Sequence, residues 1–399
     1  MQVTVEQPEA LAPRREGLLP LAGYFLKLGT IGFGGPVALV GYMHRDLVER
    51  RRWVAEETYR LALALAQIMP GPLAAQCAIA LGYFEHGLLG ASLIGLTFVL
   101  PSFIMVVALS IAYVAFGGLW WMQALFYGIG AAVIAIIAIA AYKLSRSTNK
   151  RDPLLWGIFA GLAIITVLSR AELAAFFVVA GLLVMLVKAP PAWLPKMSRA
   201  APSLFAMSAL QVAPAAADVS NGVLLDILLF FTKAGAFVFG SGLAVVPFLY
   251  QGVVQDFHWL NEQQFTDAVA VAMITPGPVV ITVAFIGYLV AGLPGASLAA
   301  IGIFLPVFLP VAVLSPWFKR HRDNAQLKAF VQGATAAATG AITGSVVILG
   351  QRSIFDLPTA IVGLVSLGVL WRFKLHEPIV VAAAGLVGLA VWPLVHAGR

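Results

Sequence analysis

The sequence has few residues that could react with a substrate or hold a cofactor. Cys77 is the single cysteine among 399 residues, which excludes an intrachain disulfide, a CxxC redox pair and a thiolate cluster. The histidines are scattered without the spacing of metal ligands, and no P-loop is present. We therefore expect no catalytic residue, no metal, no cofactor and no ATP binding, so the chain is not expected to be an enzyme.

Charge is also scarce, because only 11% of the residues are Asp, Glu, Lys or Arg, whereas soluble proteins have about 25%. Hydrophobic residues make up 61% of the chain, its mean hydropathy is +0.93, and apolar stretches long enough to cross a bilayer recur throughout. These values predict an all-α integral membrane protein. The net charge of +7 comes from short basic loops between apolar segments, which indicates membrane orientation and no nucleic-acid partner. The first residues lack the basic start of a cleavable signal, so the first span is expected to be retained.

The chain contains an internal repeat. "FLKLGTIGFGG" at 25–35 resembles "FTKAGAFVFGS" at 231–241, and Pro-Gly-Pro at 70–72 recurs at 276–278, both with an offset of 206 residues. "GLLGASL" and "GLPGASL" continue the match with an offset of 205. We therefore predict two homologous membrane repeats, 1–200 and 201–399. The apolar segments that we predict are 18–42, 61–84, 88–115, 118–142, 153–169 and 171–187 in the first half, and 222–250, 267–290, 294–315, 330–351, 356–371 and 378–396 in the second.

The two repeats differ in which of their loops are basic. The loop after the first segment contains Arg45, Arg50, Arg51, Arg52 and Arg60, whereas its counterpart contains no basic residue. By the positive-inside rule, corresponding loops then lie on opposite faces, which is the signature of an inverted repeat. The two parts of each Pro-Gly-Pro segment are too short to cross alone. The fold prediction is about ten crossing helices plus two Pro-Gly-Pro re-entrant or broken helices, and whether segment one is also re-entrant stays open.

The Pro-Gly-Pro motifs have a clear chemical consequence. Proline removes a backbone donor and ends a helix, and such a break within the bilayer is tolerated only in protein contacts or beside a wet cavity. The helix that follows presents its N–H groups and the positive end of its dipole, which suits an anion. A kink that only shapes packing is the alternative, but two copies in inverted halves favour a midplane site. The predicted substrate-binding residues are Pro70, Gly71, Pro72, Pro276, Gly277 and Pro278.

Two lysines form a second pair of candidates. Lys27 and Lys233 are repeat equivalents, and each is the only cation within the first apolar segment of its half. They could neutralise an anion or extend to the membrane interface. Gln76, four residues after Pro72, could donate to an oxyanion or bond a neighbouring helix. The remaining substrate-binding candidates are the glycines near each lysine that allow close backbone approach, Gly34, Gly35 and Gly240.

Carboxylates within the apolar segments are few. Asp226 lies seven residues before Lys233 and could carry a proton or pair at the membrane edge, but its counterpart is Pro20, so we favour the edge. Glu85, Glu172 and Asp267 lie near segment ends, and we expect them at the interface.

The sequence resembles the chromate ion transporter family in its long, two-domain form. The resemblance rests on "FLKLGTIGFGGP", "ERRRWVAEE", "AQIMPGPLAAQCAIALGYFEHGLLGA" and "FVLPSF", with weaker echoes in the second half, and it covers nearly the whole chain. It implies a multi-pass protein of the inner plasma membrane that exports chromate with the proton motive force and confers chromate resistance. It also implies that function involves Phe33 to Pro36 and Pro70 to Pro72. Family members often have a polar residue after the first Pro-Gly-Pro, where this chain has Leu73.

The function that we expect is a secondary transporter for a tetrahedral oxyanion, with chromate as substrate and protons as coupling ion. A sulfate or other oxyanion importer on the same scaffold is the first alternative. An intramembrane redox enzyme is the second, and the single cysteine argues against it. The expected partners are the oxyanion and the lipid bilayer, and a homodimer is a further option.

Overall fold

The computed structural model describes residues 16–33, 35–69, 71–117, 119–169, 174–190, 222–238, 242–321, 324–373, 375 and 377–396. Within these residues the secondary structure is helical. The first half contains seven helices: α1 Leu18–Ile31, α2 Gly35–Met43, α3 Glu56–Ile68, α4 Leu73–Phe116, α5 Trp120–Asn149, α6 Pro153–Ser169 and α7 Ala174–Lys188. The second half contains seven more: α8 Val223–Ala236, α9 Val246–Tyr250, α10 Glu262–Ile274, α11 Thr282–His321, α12 Ala325–Ser353, α13 Leu357–Phe373 and α14 Glu377–His396.

The helices α4 and α11 each reverse direction near a glycine. Gly87 has a φ of +65° and Gly292 a φ of +61°, values that L-residues with side chains rarely adopt. Beyond the turn the chain folds back, because a Cβ on Gly82 would lie only 2.5 Å from the carbonyl oxygen of Gly90. Each long helix is therefore a hairpin of two closely packed arms, and the turn occurs at matching positions in the two halves.

The two halves are interleaved. The helix α5 packs against α13 and α14 of the second half, while its counterpart α12 packs against α6 and α7 of the first. Glycines allow the closest of these approaches, since a Cβ on Gly128 would overlap the carbonyl of Ala384 and one on Gly333 would overlap that of Ala180. Each repeat thus completes its buried surface with the last two helices of the other.

The first apolar segment of each half is broken, although the sequence predicts a continuous segment at 18–42 and at 222–250. The helix α1 ends at Ile31 and α8 ends at Ala236, and shorter helices follow each break. Directly after α1, Gly32 is extended, with φ −79° and ψ +97°, and its carbonyl accepts a hydrogen bond from the Gly277 N–H in the other half.

Five described helices are long and apolar enough to cross a membrane. They are Leu73–Phe116, Trp120–Asn149, Val279–Pro316, Ala325–Gln351 and Glu377–Val395. Four shorter apolar helices accompany them, at Leu18–Ile31, Pro153–Leu168, Phe176–Lys188 and Leu357–Phe373. The helical, membrane-protein character of the prediction is confirmed, whereas the count of about ten crossings stays a prediction.

Candidate functional site

Both Pro-Gly-Pro motifs break the chain between two helices, as predicted. Gly71 separates α3 from α4 and has a φ of +146°, and Gly277 lies between α10 and α11 with a φ of +97°. These φ values strain any residue with a side chain. The glycine in each motif is therefore a conformational requirement, and prolines beside it cannot continue a helix.

Each break is hydrogen-bonded to the other half of the chain. The Gly71 N–H donates to the carbonyl of Val238 at 2.5 Å, and the Gly277 N–H donates to the carbonyl of Gly32 at 3.0 Å. Val238 is the repeat equivalent of Gly32, because both pairs are 206 residues apart. The two bonds are thus reciprocal. Each joins the glycine of one Pro-Gly-Pro motif to the chain just after the first helix of the opposite repeat.

These bonds occupy the two glycine amides, so a ligand would meet the amides of the helical turn that follows. The helix α4 begins directly after Pro72, and a short 3₁₀ helix, Val279–Ile281, follows Pro278 and leads into α11. The first turn of a helix has N–H groups without intrahelical acceptors, and neither proline supplies a capping side chain. Both prolines are buried, whereas the next residues, Leu73 and Val279, remain partly exposed. The amides of Leu73 and Val279 are therefore the backbone donors that follow each break most closely.

Two polar side chains lie against the breaks, one from each arm of α4. Gln76 is fully buried, and a Cβ on Gly71 would lie 2.5 Å from its amide carbon. Ser102 is also fully buried, and its hydroxyl donates to the carbonyl of Pro276 at 2.7 Å. The repeat equivalent of Ser102 is Val307, whose side chain has no hydroxyl to donate.

Ser102→Ala is expected to destabilise the protein by about 1–2 kcal/mol, because the buried Pro276 carbonyl loses the donor from Ser102. Thermal unfolding of the purified protein in detergent measures the change. Ser110→Ala is the matched control, since Ser110 is on the same helix, is equally buried and bonds the helical carbonyl of Val106. Equal losses in the two variants would contradict a specific role for the Ser102 bond.

A cavity of about 520 Å³, which we name the basic cavity, reaches the chain break at Gly32, directly after α1. Its charged lining residues are Lys27, Arg45, Asp46 and Arg51, and Gly32 is also in its wall. Arg45 is 3.3 Å from Asp46, and Arg51 lies over the Trp53 ring at 4.4 Å. Lys27 has no hydrogen bond or ion pair within the part of the chain that the structure describes. It is therefore a cation that an anion in this cavity could reach.

Lys233 is placed differently from its repeat equivalent. Its side chain is exposed on α8 with the ammonium 5.8 Å from the centroid of the Phe248 ring. It lines neither the basic cavity nor the second cavity described below. The two lysines therefore do not line a common cavity among the two described.

A second cavity of about 410 Å³, which we name the polar cavity, contains Asp267 in its wall. Asp267 is only 2% exposed, and its expected position near the membrane interface stays a prediction. Pro378 lines the basic cavity and Trp392 lines the polar one, and both belong to α14. Fourteen helical residues correspond to about 21 Å, so the two cavities lie at opposite ends of this helix.

Gly34, Pro70 and Gly240 lie outside the described residues, and Gly35 is the first residue of α2. Among the residues described, no group of three or more His, Cys, Asp and Glu side chains could hold a metal ion.

The apolar helices, the two broken helix pairs and the two cavities define a multi-pass membrane protein with the architecture expected of a transporter. Comparison with known proteins identifies its family. The profile of the family described as "Chromate transporter" matches residues 19–194 and again residues 225–389. The chain belongs to the chromate transporter family.

Its relatives match along most of their length. A chromate transport protein of Cupriavidus metallidurans is 57% identical over 95% of this chain and 94% of its own length. A probable chromate transport protein of Synechococcus elongatus is 55% identical over 94% of this chain and 96% of its own. A chromate transport protein of Pseudomonas aeruginosa is 33% identical over 92% of this chain and 91% of its own length. These relatives are named as transporters, which confirms that the chain is not an enzyme, and no solved structure matches it.

Proposed function

We propose that this protein exports chromate across the inner membrane, driven by the proton motive force, and so confers chromate resistance. The observation that carries the proposal is the reciprocal pair of hydrogen bonds that joins the two breaks, Gly71 to Val238 and Gly277 to Gly32. Helix N-termini at a break bind anions through their N–H groups and dipoles. The names of the close relatives support chromate as the substrate.

The basic cavity is the route by which we propose that the anion reaches the breaks. Lys27, Arg45 and Arg51 carry positive charge and Asp46 carries negative charge, so the described charges lining the cavity sum to +2. A dianion such as chromate would be balanced there. A neutral complex crosses the membrane potential at little cost, whereas each uncompensated charge costs about 2.3 kcal/mol per 100 mV.

Alternating access would come from motion of one repeat against the other. We propose that the repeats are inverted, with the basic cavity open to the cytoplasm and the polar cavity open to the outside. Cavities at the two ends of α14 and matching breaks in the two halves support this arrangement. Reporter fusions at Asn149 and Asn324 should then report a cytoplasmic position, and a fusion at His258 an external one. Equal positions for all three would contradict the inversion.

Everted membrane vesicles from cells that express the protein test the function. We expect radiolabelled chromate to accumulate inside energised everted vesicles and to leave after addition of a protonophore. Vesicles from cells without the gene are the control. Accumulation only in right-side-out vesicles would show an importer instead. Faster transport of sulfate than of chromate would favour the sulfate alternative.

A further inference from the structure

We propose that Asp267 is the residue that carries the proton and couples its movement to the substrate. This inference rests on the proposed proton-driven function and identifies the residue that performs the coupling. Its basis is the placement of a buried carboxylate in the wall of the polar cavity, between two neutral donors, on the helix that leads into the second break.

Both oxygens of Asp267 are hydrogen-bonded by groups without charge. Tyr113 Oη donates to Oδ2 at 2.8 Å, and Gln263 Nε2 donates to Oδ1 at 2.8 Å. A tyrosine hydroxyl can donate to a carboxylate or accept from a carboxylic acid, and a side-chain amide donates through its nitrogen and, once rotated, accepts through its oxygen. Asp267 can therefore gain or lose a proton without leaving a buried polar group unsatisfied.

No described lysine or arginine lines the polar cavity, so no cation holds Asp267 in its ionised form. Other titratable groups at this end of the structure are paired with one another. Tyr127 donates to Asp356 at 2.6 Å, and Tyr250 donates to Glu262 at 2.9 Å. Asp226 and Glu85, two further carboxylates in apolar helices, line neither cavity. Asp267 is thus the described carboxylate that water in the polar cavity can protonate.

The same residue is mechanically connected to the second break. Two polar contacts join α4 to the segment that runs from Asp267 to Pro276, one at each end: Tyr113 to Asp267 and Ser102 to Pro276. Ser102 and Tyr113 are eleven residues apart, about three turns, and so lie on the same face of α4. The Tyr113 ring also packs against Phe285, with ring centroids 5.1 Å apart. Phe285 lies in the first turn of α11, shortly after the second Pro-Gly-Pro break.

Protonation of Asp267 would therefore change the contact between Tyr113 and Asp267, while Ser102 on the same face of α4 contacts the second break at Pro276. In the proposed cycle, Asp267 takes a proton from water in the polar cavity, the bond from Tyr113 to a charged carboxylate becomes a weaker bond between neutral groups, and the packing of α4 on α10 changes. The proton leaves to water on the opposite face after the repeats rearrange. The repeat equivalent of Asp267 is Leu61, so this device occurs in the second half alone.

Proteoliposomes that contain the purified full-length protein test this role. We expect wild type to accumulate radiolabelled chromate when the interior is acidic and to exchange internal for external chromate without a pH gradient. Asp267→Asn should lower the gradient-driven accumulation by about tenfold or more and leave exchange within about threefold of wild type. Glu262→Gln and Asp226→Asn are matched controls and should behave as wild type in both assays.

The outcomes separate this inference from the function on which it rests. Wild-type protein that moves no chromate, or moves it without response to the gradient, would overturn the proposed function together with this inference. Gradient-driven accumulation at the wild-type level in Asp267→Asn would overturn this inference alone. If Asp267→Asn does not fold, Tyr113→Phe serves instead: the pH of half-maximal uptake should shift upward by about half a unit or more, because the ionised carboxylate loses a donor. An unshifted profile would overturn the inference.

Discussion

Lys27→Ala is expected to reduce chromate transport by about 10- to 100-fold while the protein still inserts and folds. Lys27 lines the basic cavity five residues before Gly32, whose carbonyl receives the Gly277 N–H. A charge-assisted hydrogen bond to an anion contributes about 1.5–3 kcal/mol, which corresponds to this range. Initial rates in everted vesicles at low chromate concentration measure the effect.

The controls for this variant separate charge from position. Lys27→Arg keeps the charge and should retain a substantial part of the activity. Lys143→Ala removes an exposed lysine of α5 that does not line the basic cavity, and should leave transport unchanged. Normal chromate efflux in Lys27→Ala would show that the lysine only extends to the membrane interface and has no part in the site.

Gly277→Ala is expected to destabilise the protein by roughly 2–6 kcal/mol and to abolish transport. The residue has a φ of +97°, and a Cβ there would overlap the hydroxyl of Ser102. Backbone strain of this kind costs about 1–3 kcal/mol, and overpacking in a well-packed site costs a similar amount. The thermal unfolding temperature in detergent and chromate uptake in vesicles measure the two effects.

A double variant divides the two causes. Adding Ser102→Ala to Gly277→Ala removes the overlap with the hydroxyl but not the strain, so only part of the stability should return. Gly23→Ala on α1 is the neutral control, because no atom lies within 4 Å of a Cβ at that position. A Gly277→Ala protein with wild-type stability and transport would contradict the conformation that we describe for the second break.

The sequence predicted those features that follow from local chemistry. The two Pro-Gly-Pro motifs break the chain as expected, because proline ends a helix whatever surrounds it. The repeat offset of 206 residues also correctly pairs Gly71 with Gly277 as glycines with positive φ. Family membership was predictable from the motifs, and the relatives confirm it.

Features that depend on contacts between the halves were not predictable. Nothing local to Gly32 shows that its carbonyl will accept from Gly277, so the break after α1 was missed. The glycine-rich stretch at 32–35 was the available signal, and we interpreted it as close packing within one segment. The hydrogen bond between Asp267 and Tyr113 was not predicted for the same reason, since the two residues are 154 apart in the chain.

The position of bound chromate tests the central claim most directly. Anomalous scattering from chromium in crystals grown with chromate would locate the anion without any assumption about its ligands. We predict chromium within hydrogen-bonding reach of the first-turn amides at Leu73 or Val279, on the path from the basic cavity. Chromium bound only to arginines and lysines at the helix ends, with none within hydrogen-bonding reach of the Leu73 or Val279 amide, would contradict the account.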